Sequence, residues 1–167
     1  QRLLQDNETS WFDWSLLEKH ADVHRFVKLL NARRLLRDVE HERERLTLNE
    51  MIRKATKAWH GIELYQPDWR PSSRTLAFTT ALARDRILVH LILNAYWEPL
   101  DFELPTVEGG GPWRRWIDTS LESPADIVPW ESAPSLSKST YPTEARSVVV
   151  LFSETTQVAR LSAAARS

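Results

Sequence analysis

The sequence predicts a mainly β protein, in which one or two helices precede a C-terminal antiparallel β-sandwich. Two observations indicate this class. In the first part of the chain, apolar residues recur at three- and four-residue spacing, the period of one helix face. After Lys57 the pattern changes to short β-prone runs separated by Pro, Gly, Asn, Asp or Ser. Short strands with turn-rich connections are typical of two packed antiparallel sheets.

The predicted helical part extends from Leu16 to Val39. Its apolar residues at helical spacing are Leu16, Val23, Phe26, Val27, Leu30 and Leu35. Residues 33–45 then carry both signs of charge at high density, which indicates a solvated helix end or linker rather than a binding patch. Thr47 and Glu50 have the spacing of a capping box, so a second short helix is expected there.

Six runs are predicted as strands, at residues 58–64, 75–82, 87–96, 100–104, 113–118 and 147–152. The third and sixth runs are apolar nearly throughout, which favours central positions in a sheet. Residues 122–143 contain four prolines and five serines and are predicted as a long loop. The domain organisation that follows is a helical segment at 1–56, the sandwich at 57–153 and a tail at 154–167 that we expect to be disordered.

Composition excludes several classes of function. The 167 residues suffice for one domain with a real core, and a net charge of −1 argues against binding to a nucleic-acid backbone. No apolar run is long enough to span a bilayer or to act as a signal peptide, so no membrane partner is expected. The absence of cysteine excludes disulfides and thiolate metal sites and fits a reducing cytoplasm.

The usual catalytic and metal motifs are missing. His20 and His24 share a helix face, but no third ligand accompanies them, so we predict no metal and no cofactor. No Gly-x-Ser-x-Gly elbow marks a nucleophile. Three glycines at 109–111 lead into a strand-like run rather than a helix, which indicates a turn and not a phosphate loop.

The segment from Gln5 to Trp14 is dense in polar and aromatic residues and has no initiator Met close before it, so we expect it to come from the middle of a larger protein. Carboxylates and amides bond hydroxyl groups while indole faces cover sugar C–H surfaces, which suits contact with a polyhydroxylated ligand. The candidate ligand-contacting residues are Asp6, Asn7, Glu8 and Trp11. The alternative is a capped helix start, because Ser10 and Asp13 also have helix-entry spacing.

Eight tryptophans are a second unusual feature of the chain. They are Trp11, Trp14, Trp59, Trp69, Trp97, Trp113, Trp116 and Trp130. Indole faces stack on pyranose rings, yet a sandwich of this size also needs large side chains for its core. Packing and sugar contact therefore both remain open for each of them.

Several blocks of sequence, in order along the chain, resemble the C-terminal third of isoamylase-type glycogen-debranching enzymes of the α-amylase superfamily. The blocks are Gln5–Glu8 with Trp11–Trp14, Ala58–Gly61, Gln66–Trp69, Leu93–Pro99 with Phe102–Pro105, and Ala145–Leu151. Five blocks at compatible separations form a specific signal, whereas each alone is weak.

The resemblance implies an enzyme that hydrolyses α-1,6 branch linkages in glycogen or similar glucans by a retaining route. The partner of the intact enzyme would be an α-glucan, either glycogen or a malto-oligosaccharide. Such chemistry uses two carboxyl groups about 5–5.5 Å apart at one end of a (β/α)₈ barrel of about 250 residues. This chain is too short to contain the barrel, so it is expected to lack the catalytic carboxylates and to be inactive alone. A bacterial-type cytoplasmic location is the corresponding expectation.

The resemblance also implies a place for each part of the chain. Residues 5–14 correspond to the loop after the last barrel strand, which would line the glucan cleft, and residues 23–37 to the last barrel helix. The sandwich would stabilise a barrel that lies upstream. The alternative is an independent carbohydrate-binding β-sandwich module.

A stripe of four apolar side chains would lose its partner if the barrel were absent. They are Val23, Phe26, Val27 and Leu30. Each apolar side chain left exposed forfeits about 1.5–3 kcal/mol. We therefore expect this helix to pack on the sandwich, to self-associate with a second copy through the stripe, or to be poorly ordered.

Overall fold

A computed structural model describes residues 11, 13–40, 56–82, 87–107 and 109–155 of the chain. Two helices come first, α1 at Leu16–Lys19 and α2 at Ala21–Glu40. They confirm the predicted helical part. The short helix expected at Thr47 and Glu50 lies outside the described residues, as does the tail after Thr155.

Seven strands follow in the described part of the chain. They are β1 Thr56–His60, β2 Thr75–Leu82, β3 Ile87–Asn94, β4 Leu100–Glu103, β5 Arg114–Asp118, β6 Thr140–Thr143 and β7 Ser147–Glu154. Five of them form an antiparallel sheet in the order β1-β2-β3-β7-β5, and β4 pairs with β6 in a second sheet. The two antiparallel sheets confirm the predicted sandwich class, and the two nearly all-apolar runs are central strands.

Alternation along the strands gives the large sheet an inner and an outer face. Along β3 every second residue from Leu88 to Asn94 is buried on the inner face. The small sheet covers that face with Phe102 of β4 and Tyr141 of β6. The main core cluster is Ala77, Ala81, Leu88, Ile92, Phe102, Leu104, Trp113, Tyr141, Val149 and Leu151.

The prediction of one long loop over residues 122–143 is wrong at its end. This segment contains a short 3₁₀ helix at Trp130–Ser132 and the whole of β6. The sequence Thr-Tyr-Pro-Thr hides a strand because proline removes a backbone donor. Here Pro142 lies opposite Asp101 in a sheet of only two strands, where a missing donor is tolerated.

The outer face of the large sheet is covered at one end by a second cluster. Trp130 stacks on Phe152 with ring centroids 3.5 Å apart, and Trp116 meets the edge of Trp130 at 5.4 Å. Val128 packs there as well. Three of the eight tryptophans are thus packing residues, since Trp113 belongs to the inner core.

Helix α2 is attached to the sandwich by one arginine. Arg25 forms an ion pair with the Asp126 carboxylate and donates hydrogen bonds to Ser123 Oγ at 3.1 Å and to the Ile127 carbonyl at 3.0 Å. A longer contact of 3.4 Å reaches the Pro124 carbonyl. The segment 123–127 therefore binds the helix mainly through polar groups.

The apolar stripe on α2 is only partly covered. Phe26 and Leu30 are half-buried, whereas Val23 and Val27 are 55% and 47% exposed. The expectation that the helix packs on the sandwich is met at Arg25 and not at these two valines. Within the described ranges no helix is both long and apolar enough to cross a membrane.

We predict that Arg25→Ala detaches α2 from the sandwich. The substitution removes a charge-assisted set of hydrogen bonds, so the free energy of unfolding should fall by about 1–3 kcal/mol. Amide exchange in residues 21–32 should become faster, as measured by hydrogen–deuterium exchange. Lys28→Ala, at an exposed position of the same helix, is the control. Equal exchange in the two variants would contradict the attachment.

Candidate functional site

Three of the four predicted ligand-contacting residues, Asp6, Asn7 and Glu8, lie outside the described residues. The fourth, Trp11, is 61% exposed. Asp13 accepts hydrogen bonds from the Ser15 amide at 2.9 Å and from its hydroxyl at 2.6 Å, and these bonds lower the pKa of the carboxyl group. The end of the N-terminal segment is a helix entry in which Ser15 is the N-cap residue and Asp13 precedes it. Ser10, the capping residue of the alternative interpretation, lies outside the described residues.

The carboxylate most deeply buried in the described part of the chain is engaged in packing. Asp118 is 4% exposed and accepts hydrogen bonds from the Ser120 hydroxyl at 2.6 Å and from the Tyr141 hydroxyl at 2.7 Å. Burial, followed by this hydrogen bond, raises the pKa of Tyr141. Asp118 thus ties β5 to β6. The described residues contain no group of three side chains able to hold a metal ion, and His20 and His24 are exposed.

Two exposed tryptophans meet at the free edge of the large sheet. Trp59 lies on the outer face of edge strand β1, and Trp69 lies in the connection from β1 to β2. Their ring centroids are 5.5 Å apart and the ring planes meet at 71°. Trp59 also rests on Phe78 of β2, with centroids 5.2 Å apart. We call Trp59 and Trp69 the aromatic corner.

The loop from 61 to 69 that carries Trp69 is held by a close backbone approach. A side chain at Gly61 would place its Cβ 2.3 Å from the Gln66 carbonyl oxygen, so only glycine fits. The Leu64 amide donates to Glu103 Oε2 at 3.0 Å, and the Glu103 amide donates to the Ile62 carbonyl at 3.0 Å. The loop is therefore tied to strand β4 of the other sheet.

Charged groups flank the aromatic corner. Arg70 donates two hydrogen bonds to the Asp68 carboxylate, at 2.8 and 2.9 Å. The side-chain hydrogen bonds from Arg70 are the main reason why the pKa of Asp68 is lowered to about 2. The carboxylate is therefore ionised at neutral pH. Lys57 is also exposed on the same face of β1 as Trp59. The corner thus combines flat apolar surfaces with hydrogen-bonding groups.

A buried chain of hydrogen bonds lies beneath the corner, on the inner face of the sheet. The Tyr65 amide donates to His60 Nδ1 at 2.9 Å, which places the His60 proton on Nε2. His60 Nε2 then donates to Thr79 Oγ1 at 2.9 Å, and the Thr79 hydroxyl donates to His90 Nδ1 at 2.8 Å. This relay joins β1, β2 and β3 and fixes the tautomer of both histidines.

Both histidines are neutral in this setting. Burial lowers the pKa of His60 to about 4, and burial together with the nearby His60 lowers the pKa of His90 to about 3. His90 is fully buried against Trp113, at 5.7 Å between ring centroids. Its Nε2 has no hydrogen-bond partner in the part of the chain that the structure describes. The relay is a structural element rather than an acid–base pair.

A second aromatic pair lies at the end of the sheet where β3 finishes. Tyr96 and Trp97 stack at 4.0 Å, and Trp97 is 61% exposed. Asn94 holds this turn, because its side-chain amide donates to the carbonyls of Glu98, Thr143 and Glu144 while its carbonyl accepts the Tyr96 amide. The turn is thus tied to the end of β6.

The sequence analysis predicted neither the relay nor the contacts of Arg25. Two unusual positions hinted at the relay, since His60 directly precedes Gly61 at the end of β1 and His90 interrupts an apolar strand. Neither position reveals its partner without the register that brings Thr79 opposite His90. The partners of Arg25 lie 98 to 102 residues further along the chain.

The chain matches the family described as "Isoamylase 1-3, C-terminal" over residues 58–164. It is 28% identical over 124 residues to isoamylase SU1 of Zea mays, and 30% identical over 124 residues to isoamylase 1 of Arabidopsis thaliana. Each alignment covers 74% of this chain and 15% of the relative. Isoamylase 3 of Oryza sativa subsp. japonica is 31% identical over 121 residues, which are 71% of this chain and 14% of that protein. The chain therefore spans about one-seventh of the length of these relatives.

The expectation of a bacterial-type cytoplasmic location is wrong. All three relatives are named as chloroplastic proteins. The expectation came from the resemblance to debranching enzymes and from the absence of cysteine, which fits any reducing compartment and does not distinguish one from another.

We predict that Thr79→Val is strongly destabilising. Valine keeps the shape but leaves His60 Nε2 and His90 Nδ1 without their shared partner, which should cost about 2–4 kcal/mol in urea denaturation. Thr80→Val, on the outer face of the same strand, is the matched control and should change stability by less than about 0.5 kcal/mol. Similar losses in both variants would argue against the relay.

We also predict that stability falls with acidity before the carboxylates titrate. The histidines have folded pKa values of about 4 and about 3. In the unfolded chain they titrate near 6.5 and bind protons first. Above about pH 6.5 the two histidines are neutral in both states and leave the free energy of unfolding unchanged. As the pH falls from about 6.5 toward 4, the free energy of unfolding decreases by up to about 1.4 kcal/mol per pH unit for each histidine.

The measurement is urea denaturation at steps between pH 7.5 and 4.5. Replacing His90 with leucine should flatten the dependence, whereas replacing the exposed His24 with glutamine should leave it unchanged. A pH-independent midpoint for the unmodified chain over this range would contradict the assignment.

Proposed function

The chain belongs to the isoamylase family as its C-terminal domain, and we propose that it is the non-catalytic C-terminal part of a longer debranching enzyme. The reaction proposed for that enzyme is hydrolysis of the α-1,6-glucosidic branch linkages of glycogen or a similar glucan. One observation carries the proposal: the family match begins in β1 and extends beyond β7, covering both sheets.

The contacts of three described carboxylates are compatible with a non-catalytic chain. Retaining hydrolysis needs a nucleophile and a general acid/base about 5–5.5 Å apart. Asp118 and Asp126 are engaged with Tyr141 and Arg25, and Asp68 with Arg70. We assign no catalytic residue to this chain and expect the two carboxyl groups in a (β/α)₈ barrel upstream.

We propose that the sandwich stabilises that barrel through helix α2. Arg25 faces segment 123–127 while Val23 and Val27 face solvent, so the helix has one attached side and one apolar side open to a partner. Each valine is already about half covered, so burying the rest stabilises by about 1 kcal/mol each. In this proposal residues 1–56 are the end of the barrel, 57–153 the sandwich and 154–167 a tail.

The N-terminal loop has a separate proposed role. Loops that follow barrel strands form the active-site face of such enzymes. Asp6, Asn7, Glu8 and Trp11 would then line the glucan cleft of the longer protein. The indole of Trp11 is 61% exposed, and an aromatic face suits contact with sugar C–H groups.

An independent carbohydrate-binding module is the second candidate, favoured by the exposed aromatic corner. Self-association through Val23, Phe26, Val27 and Leu30 is the alternative fate of the helix stripe. Both are compatible with an inactive isolated chain.

We predict that the isolated 167-residue chain releases no reducing ends from amylopectin above the background of a mock purification. In the longer protein, Val23→Asp should lower the melting temperature by more than the same substitution lowers it in the isolated chain, because only the longer protein buries this valine. Lys28→Gln, at an exposed position of the same helix, also changes the net charge by −1 and serves as the charge-matched control. Hydrolysis by the pure chain, or equal shifts in both contexts, would overturn the proposal.

A further inference from the structure

The aromatic corner remains exposed after the proposed contacts of the sandwich are assigned. Trp59 is 42% exposed and Trp69 65%, and both lie at edge strand β1 rather than at helix α2. Indole rings are among the largest apolar groups, and leaving them in water forfeits stabilisation that covering them would supply. Two of them in edge contact, at a free sheet edge, indicate a surface that is covered by a partner.

The corner is also built in advance of binding. Phe78 supports Trp59 from β2, and Gly61, Glu103 and the relay residue His60 hold the loop that leads to Trp69. Side chains that are already ordered lose little conformational freedom when a ligand binds. The loop is therefore suited to present Trp69 in one orientation.

The neighbours of the corner favour a polyhydroxylated ligand over a protein. The cores of protein interfaces are enriched in Trp and Arg but depleted of Lys and Asp. Here Lys57 and the Asp68–Arg70 pair adjoin the two tryptophans, and the Asp68 carboxylate keeps one-third of its surface exposed. A carboxylate and a guanidinium beside an indole face can bond sugar hydroxyls while the ring covers C–H groups.

The angle between the Trp59 and Trp69 ring planes favours an α-1,4-linked glucan over a β-1,4-linked one. Successive residues of an α-1,4-linked chain turn relative to one another, so the chain is curved, whereas a β-1,4-linked chain is a flat ribbon. Two indole planes at 71° can contact a curved chain on two faces but cannot lie flat against a ribbon. We propose that the aromatic corner is a non-catalytic binding site for an α-1,4-glucan chain, formed by Trp59 and Trp69 with Asp68 and Arg70.

This proposal rests on the proposed function for the choice of glucan, and it adds a contact outside the active-site cleft. Such a site would hold a branched substrate on the surface of the domain without taking part in bond cleavage. It involves residues of β1 and the β1–β2 connection, none of which has been assigned to the N-terminal loop or the helix stripe.

The test is binding of maltoheptaose to the 167-residue chain by titration calorimetry, with retardation in amylopectin-containing native gels as the second readout. Trp69→Ala should weaken binding by about tenfold or more, since one stacked ring contributes on the order of 1.4 kcal/mol. Trp97→Ala, a similarly exposed tryptophan at the β3–β4 turn, should remain within about twofold of the unmodified chain. Cellohexaose should bind more weakly than maltoheptaose.

Near-ultraviolet circular dichroism confirms that each variant is folded, and Trp69→Tyr, which keeps an aromatic face, should retain part of the affinity. The proposal is overturned if the unmodified chain does not bind maltoheptaose, or if Trp69→Ala and Trp97→Ala lose affinity equally. It is also overturned if Trp69→Ala binds glucan normally but weakens the attachment of the sandwich to the rest of the longer protein, because the corner is then a domain interface.

The two proposals can fail separately. Absence of glucan binding by the isolated chain, with debranching activity in the longer protein, removes the binding site and leaves the proposed function standing. Binding of maltoheptaose at the aromatic corner, together with no debranching activity in the longer protein, removes the proposed function and leaves the binding site standing.

Discussion

The chain of hydrogen bonds from the Tyr65 amide through His60 and Thr79 to His90 is the constraint on which the exposed edge of the sandwich depends. An unpaired polar group on the inner face of a sheet costs about 1–3 kcal/mol, and among the described ring and hydroxyl groups of this relay only His90 Nε2 lacks a partner. Satisfying the other groups requires β1, β2 and β3 in one register and Tyr65 in a left-handed conformation, with φ 62°. The position of Trp59, one residue before His60 and on the opposite face, follows from that register.

The sequence blocks shared with debranching enzymes acquire physical meanings in this fold. In the first block of the sandwich, Trp59 faces outward, His60 enters the relay and Gly61 allows the Gln66 carbonyl to approach. In the block that contains Asn94, the buried side-chain amide of this residue donates hydrogen bonds to three carbonyls and joins two turns. These residues specify the architecture of the domain, so the family signature in this part of the chain reflects its fold.

Periodicity was sufficient for those parts of the fold whose signals are local. Strands β3 and β7 are apolar nearly throughout and were predicted as central, and α2 was predicted from its helical spacing. Strand β6 was missed because its identity depends on pairing with β4 and not on its own four residues. In the candidate site, the sequence shows that tryptophans are present but not which of them are exposed together. The angle between Trp59 and Trp69 and the contacts of Arg25 depend on how separate segments of the chain fold together.

Arg25 determines how the helix and the sandwich move together. Its guanidinium group reaches Ser123, Asp126 and the backbone of Ile127, so it resists both sliding and rotation of α2 over that segment. A flexible hinge between the two elements is therefore mechanically unfavourable. A body that packs on the opposite side of the helix is therefore oriented relative to the β-sheets through α2, and among the described residues Arg25 is one of the side chains that transmit a load between them.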